Sequence, residues 1–81
     1  MQERIALIGI IVEAPENVEL LNQVLHNYNE YIIGRMGIPY PKKSLCIISV
    51  IVDAPNNIIS ALTGKIGMIP GLSVKTVYSK N

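Results

Sequence analysis

The chain lacks several of the residues on which common functions depend. Its 81 residues include no phenylalanine and no tryptophan, and they contain one cysteine, Cys46, and one histidine, His26. A lone cysteine cannot form an intramolecular disulfide, which suits a reducing compartment. One histidine and one cysteine are too few for a closed metal site within one chain. We therefore expect no metal and no cofactor, unless these two residues meet across a subunit interface.

Long apolar runs and a strong charge imbalance are also missing. No apolar stretch reaches the ~18 residues that span a bilayer, and the N-terminus lacks a signal-peptide pattern. A net charge of +1 gives little attraction to nucleic acid or to anionic membranes. The four tyrosines are dispersed, so no aromatic platform for bases is evident. We expect a cytoplasmic protein without membrane contact, which binds nucleic acid only through a partner.

What the chain does contain is a repeat. Residues 7–18 read LIGIIVEAPENV and residues 47–58 read IISVIVDAPNNI, with six of twelve aligned positions identical. Each copy is an apolar, β-branched run followed by an acidic residue, Ala-Pro and the start of a helical pattern. Two such units must pack together to bury their apolar faces. The repeat therefore predicts a duplicated fold within a single domain spanning residues 1–81.

Hydrophobic periodicity predicts the order βαββαβ. The expected strands are Ile5–Val12, Tyr31–Ile38, Leu45–Val52 and Leu72–Tyr78, and the two helices open at Pro15 and Pro55. The predicted apolar stripes are Val18, Leu21, Leu25 and Tyr28 in the first helix, and Ile58, Leu62, Ile66 and Ile69 in the second. Residues 38–43 are expected to form a loop, because two prolines cannot donate to a strand ladder. This order is that of an α+β, ferredoxin-like sandwich with two helices on one face of a four-stranded antiparallel sheet.

The first and third strands are apolar on both sides, which predicts self-association. A sheet with one solvated face should alternate apolar and polar residues, yet only Gly9 and Ser49 interrupt the two runs. Charged residues make up 16% of the chain, against roughly 25% in typical soluble domains. We therefore expect a homo-oligomer, a dimer or a tetramer, joined through sheet faces or edges. The alternative is a compact monomer with apolar residues scattered on its surface.

No catalytic constellation is legible, and we expect a protein that is not an enzyme. Glu13 and Asp53 occupy matching strand-to-helix junctions, which we expect near one end of the sheet. They either form an acid pair or, as we favour, lie beside the positive ends of two helices. Residues 63–67, Thr-Gly-Lys-Ile-Gly, lack the upstream glycine and the Ser/Thr after the lysine that a phosphate loop needs.

The least generic segment is residues 34–40, with the sequence GRMGIPY. Two glycines inside a strand indicate that another group approaches the backbone closely, and Arg35 offers a planar donor fork for a carboxylate or a phosphate. The alternative is a bulged edge strand with Arg35 in solvent. The two halves of the chain differ both in this segment and in residues 63–67. We therefore predict a ligand-binding set drawn from both segments: Gly34, Arg35, Met36, Gly37, Pro39, Tyr40, Thr63, Gly64 and Lys65.

The segments GRMGIPY (34–40) and ALTGKIGMIPGLSVKT (61–76), with LHNY (25–28) and the Asp-Ala-Pro junction at 53–55, closely resemble a family of small proteins described as iron-only hydrogenase system regulators. That family is related to ACT domains and to the C-terminal domain of nickel-responsive repressors. The resemblance implies an ACT-like domain that assembles through its sheets. The chain departs from both relatives: Glu13-Ala14-Pro15 replaces the glycine of amino-acid-binding ACT domains, and His26 is its only histidine.

The expected function is therefore that of a non-enzymatic regulatory or sensor module, associated with an iron-only hydrogenase system as a transcriptional regulator. We expect it to work as a homo-oligomer that binds a small ligand or a protein partner. The alternative is an assembly or maturation accessory factor that binds protein only.

Overall fold

The computed structural model describes residues 3–80. The strands are β1 (Glu3–Val12), β2 (Ile32–Tyr40), β3 (Leu45–Pro55) and β4 (Leu72–Tyr78), and the helices are α1 (Val18–Asn27) and α2 (Asn56–Gly67). The sheet has the order β2-β3-β1-β4, and every neighbouring pair is antiparallel. Both helices cover the same face of this sheet. The predicted α+β, ferredoxin-like fold is confirmed.

The core lies between the two helices and one face of the sheet. Its buried side chains are Ala6, Ile8, Ile10 and Val12 from β1, Ile48, Val50, Val52 and Ala54 from β3, and Leu21, Leu25, Ile59, Leu62, Ile66 and Ile69 from the helices and the turn after α2. Of the stripe predicted for α1, Leu21 and Leu25 are buried, and Val18 and Tyr28 are partly buried against the core. In α2, Leu62 and Ile66 are buried as predicted, but Ile59 is buried in place of the predicted Ile58, which is only partly buried. Helical spacing places both residues next to Leu62, and packing on the sheet decides between them.

β2 is longer at its C-terminal end than the sequence indicated. The predicted loop over residues 38–43 is wrong: Pro39 lies opposite Cys46 and Tyr40 opposite Leu45, and only Pro41–Lys43 form a 3-10 turn. Because β2 is an edge strand, the missing N–H of Pro39 costs no ladder hydrogen bond when it points away from β3. A register irregularity between Ile32 and Gly34 bends the other end of the strand.

The register of the two central strands reveals how the repeat is arranged. Gly9 lies opposite Ser49. These two residues are equivalent in the repeat, because its second copy begins 40 residues after the first and 49 − 9 = 40. An approximate two-fold axis therefore passes through this pair. Ile5 lies opposite Asp53 and Val12 opposite Cys46, so Glu13 and Asp53 lie at opposite ends of the sheet, roughly 25 Å apart at ~3.4 Å per residue. The expectation that they lie near one end is wrong, since antiparallel strands carry equivalent junctions to opposite ends.

The junction between β1 and α1 is attached to the turn that precedes β4. The backbone N–H of Glu13 donates to the carbonyl oxygen of Gly71 at 2.7 Å, and Asn17 Nδ2 donates to that of Pro70 at 2.8 Å. Gly71 has a φ of +82°, and a Cβ built there would overlap the side chain of Ala14. The turn thus needs a glycine both for its backbone conformation and for its closeness to Ala14.

Gly64 in α2 has no comparable constraint. A Cβ at this position would meet nothing within 4 Å, and glycine inside a helix costs roughly 0.5–1 kcal/mol relative to alanine. We expect Gly64→Ala to raise the free energy of unfolding by about that amount in urea titrations at fixed protein concentration. Gly67→Ala is the matched control, because its Cβ would contact Val74 Cγ1 at 3.5 Å near the end of the helix, and it should give a smaller gain. A destabilised Gly64→Ala would mean that this glycine serves a contact outside the chain.

Candidate functional site

Alternation along β2 divides the GRMGIPY segment between the two sides of the sheet. Met36 and Ile38 lie opposite Ser49 and Ile47, on the side away from the helices, which we call the open face. Gly34 and Tyr40 share that face by the same register. Arg35, Gly37 and Pro39 lie opposite Val50, Ile48 and Cys46 on the side of the helices. The structure therefore divides the β2 residues of the predicted ligand set between two faces, because neighbouring residues of a strand point to opposite sides of the sheet.

The open face is apolar over most of its area. Its large side chains are Ile5, Leu7, Ile11, Met36, Ile38, Tyr40, Ile47, Ile51 and Val77, each between 37% and 65% exposed. The pairing register places Leu7, Ile51 and Val77 in a row on one side of the smaller residues Gly9 and Ser49. Ile11, Ile47 and Ile38 form a row on the other side. Lys75 lies beside Gly9 on the edge strand β4. An exposed apolar surface of this extent is typical of an interaction site.

A second feature lies on the other side of β2, where this strand meets α1. We call it the α1–β2 groove; it is lined by Asn22, Leu25, His26, Asn29, Ile32 and Arg35. The guanidinium of Arg35 donates from Nη2 to Asn22 Oδ1 at 2.6 Å. Leu25 and Ile32 give the groove an apolar floor, and no acidic residue of the described range 3–80 lines it. A neighbouring depression shares Asn22 and His26 and adds Glu19, Gln23 and Asn27.

Thr63, Gly64 and Lys65 lie on α2, apart from the GRMGIPY segment. Lys65 Nζ lies 5.3 Å from the centroid of the Tyr28 ring, a cation–π contact that stabilises an exposed site by about 0.5–1 kcal/mol. Thr63 Oγ1 donates to the carbonyl oxygen of Ser60 at 3.2 Å, within the helix itself. No hydrogen bond or ion pair among residues 3–80 connects these three residues to β2.

His26 and Cys46 are not brought together into a metal site. His26 lies on the exposed side of α1 and lines the α1–β2 groove, whereas Cys46 is partly buried at the start of β3. Within residues 3–80, no group of three His, Cys, Asp or Glu side chains could hold a metal ion. Over the same range, no helix is long and apolar enough to cross a membrane.

Sequence reasoning missed the partners of Arg35. Asn22 and Asn29 lie off the apolar stripe of α1 and after its end, and both look like ordinary solvated residues in the sequence. They become neighbours of Arg35 only because α1 packs beside β2, a tertiary relation that no local pattern reports. The one signal available was the spacing of Asn22 and His26, which lie four residues apart and so share one face of the helix.

Comparison with known proteins places the chain beside a described family and a solved structure. Residues 4–76 match the model of the TM1266-like family, described as "Iron-only hydrogenase system regulator, putative". The fold is similar to a solved structure, "The structure of uncharacterized protein TM1266 from Thermotoga maritima", with 35% sequence identity and a TM-score of 0.93, covering 98% of this chain and 100% of the other. No curated protein matches the chain.

Proposed function

Because this chain belongs to the TM1266-like family, we propose that it is a non-enzymatic regulator of an iron-only hydrogenase system. In this proposal it acts in the cytoplasm as a homo-oligomer, a two-fold dimer or a tetramer built from such dimers, and it responds to a small effector. It reaches DNA, if it controls transcription, through a partner protein. The observation that carries the proposal is the apolar open face.

The area of the open face supports a second copy of the chain as its occupant. Its nine large apolar residues are each between 37% and 65% exposed, and together they offer an apolar patch of the kind that the ~800 Å² buried by each partner of a standard interface requires. Burying such side chains contributes roughly 1.5–3 kcal/mol each when they are fully exposed beforehand, so partial burial of nine still gives a large gain. A two-fold interface brings the same patch of both copies together, so the patch must be complementary to itself. An apolar surface meets this requirement because it does not repel its own copy.

Gly34 on the open face supports a close approach from outside the chain. A Cβ at this position would meet nothing within 4 Å, and its backbone does not have the positive φ that requires glycine. The irregularity between Ile32 and Gly34 is compatible with glycine, but neither intrachain packing nor a positive φ requires it. A second sheet lying against β2 would explain it, since the missing side chain lets two backbones come closer.

A protein-only maturation accessory is the second candidate, because the open face also fits a different protein.

A deletion strain distinguishes the two functions. Loss of a regulator changes the hydrogenase transcript level, whereas loss of a maturation factor leaves the transcript unchanged and lowers the activity per hydrogenase polypeptide. We expect a change in transcript of several-fold, restored by the wild-type gene but not by a variant that cannot assemble. An unchanged transcript with inactive hydrogenase polypeptide would refute the regulatory proposal.

A further inference from the structure

The α1–β2 groove has the chemistry of an anion site. Arg35 carries five N–H donors, and one of them is used by Asn22 Oδ1. The remaining four have no acceptor among residues 3–80. Because the Asn22 oxygen accepts from Arg35, its amide nitrogen is left as a donor toward the groove, beside the side-chain amide of Asn29 and the ring of His26. The groove is thus rich in donors, and no carboxylate within it competes for them.

The position of Arg35 favours a bound ligand over a simple solvated cation. Its hydrogen bond of 2.6 Å to Asn22 restrains the guanidinium against α1, so that less side-chain freedom is lost when a ligand binds. Leu25 and Ile32 line the groove beside Arg35, and the guanidinium itself is exposed to an incoming ligand. A planar guanidinium presents two parallel donors to a carboxylate or a phosphate, and this bidentate contact is among the stronger hydrogen-bonded pairs.

Gly37 keeps the space beside Arg35 open. It is the next residue of β2 on the side of the helices, and a Cβ there would touch only Ile48 Cγ1, at the ordinary contact distance of 3.7 Å. Packing therefore does not require glycine at this position. The absence of a side chain does leave room along the strand for a ligand longer than a single oxyanion.

We infer that the α1–β2 groove binds a small organic anion through a carboxylate or phosphate group, with Arg35 as its principal contact and Asn22, Asn29 and His26 as further donors. This inference rests on the proposed function, since it assigns the place and the chemical class of the effector. It separates the two sides of β2: the open face serves assembly, and the opposite side receives the ligand.

Nuclear magnetic resonance of the full chain tests the site. Malonate and inorganic phosphate serve as separate probes, each added at constant ionic strength against chloride. We expect saturable shifts confined to the side-chain amides of Asn22 and Asn29, the Nε–H of Arg35 and the ring of His26, with an apparent Kd of ~1 mM or tighter. The probe with the lower apparent Kd shows whether the site recognises a carboxylate or a phosphate. Shifts spread over the lysines, or none that saturate, would overturn the inference.

Three variants separate recognition from net charge. Arg35→Ala should abolish saturable binding, and Arg35→Lys should weaken it at least tenfold, although the charge is kept, because an ammonium cannot make the bidentate contact. Lys42→Ala removes one positive charge outside the groove and should bind as the wild type does. Equal binding by Arg35→Lys and wild type would refute a role for the guanidinium fork. If Arg35→Ala fails to fold, Arg35→Lys and the shifts of the wild-type protein still decide the question.

Sedimentation of the same samples keeps the two proposals distinguishable. An assembled protein without saturable binding would refute the anion site and leave the regulatory oligomer standing. A monomer that binds the anion would refute the assembly and retain the site. A monomer without binding would refute both.

Discussion

Replacing Leu7 by glutamate is expected to convert the assembled protein into monomers. Leu7 lies on the open face between Ile51 of β3 and Val77 of β4, and is 44% exposed in the single chain. In a two-fold interface the substitution would bury two carboxylates, one from each copy, without partners. Such unpaired charges cost several kcal/mol each, so we expect the dissociation constant to rise at least ~1,000-fold, which corresponds to about 4 kcal/mol.

Leu20→Glu is the matched control for this change. Leu20 lies on α1, on the side of the sheet away from the open face, and is 46% exposed, nearly the same fraction as Leu7. It should leave assembly unchanged, and both variants should keep the circular dichroism of the folded wild type, because neither side chain is in the core. Sedimentation velocity over a dilution series measures the effect. Dissociation by Leu20→Glu, or a wild type that is monomeric at micromolar concentration, would contradict an interface on the open face.

Gly71→Ala is expected to cause the largest loss of stability from a single methyl group. Its φ of +82° places the residue in the left-handed region, which costs a residue with a Cβ about 1–2 kcal/mol. The added Cβ would also overlap Ala14 and lie 3.2 Å from its backbone nitrogen, and overpacking of this kind costs about 1–3 kcal/mol. We expect a loss of roughly 2–5 kcal/mol, the sum of these two ranges, measured by urea unfolding at fixed protein concentration.

The double variant separates the two causes. Ala14→Gly removes the side chain that a Cβ at position 71 would overlap. Ala14→Gly together with Gly71→Ala should therefore recover that part of the loss, and leave the close contact with the backbone nitrogen of residue 14 and the cost of the positive φ. Gly64→Ala, at an unconstrained helical position, shows that the effect is not a general response to alanine. A Gly71→Ala variant as stable as the wild type would mean that the turn before β4 relaxes away from Ala14.

The fold was predictable because its information is local and repeated. Each half carries a strand, an Ala-Pro junction and a helical stripe, and the doubly apolar strands indicated a second apolar sheet face. The α1–β2 groove was only partly predictable: Arg35 was singled out by its flanking glycines, but its bond to Asn22 depends on how α1 packs. Pro39 was misassigned because its tolerance follows from the edge position of β2, which only the sheet order reveals. The choice of Ile59 over Ile58 depends on packing in the same way.

The pairing of Gly9 with Ser49 has a consequence for the specificity of assembly. Since equivalent residues of the two halves meet at the centre, the inner part of the open face looks nearly the same after a half-turn about the sheet normal. A second copy could then dock in two orientations of similar energy, as far as β1 and β3 are concerned. The outer strands remove this degeneracy, because β2 offers Met36 and Gly34 where β4 offers Lys75 and Ser73. The inner strands therefore supply the affinity, and the outer strands select one arrangement.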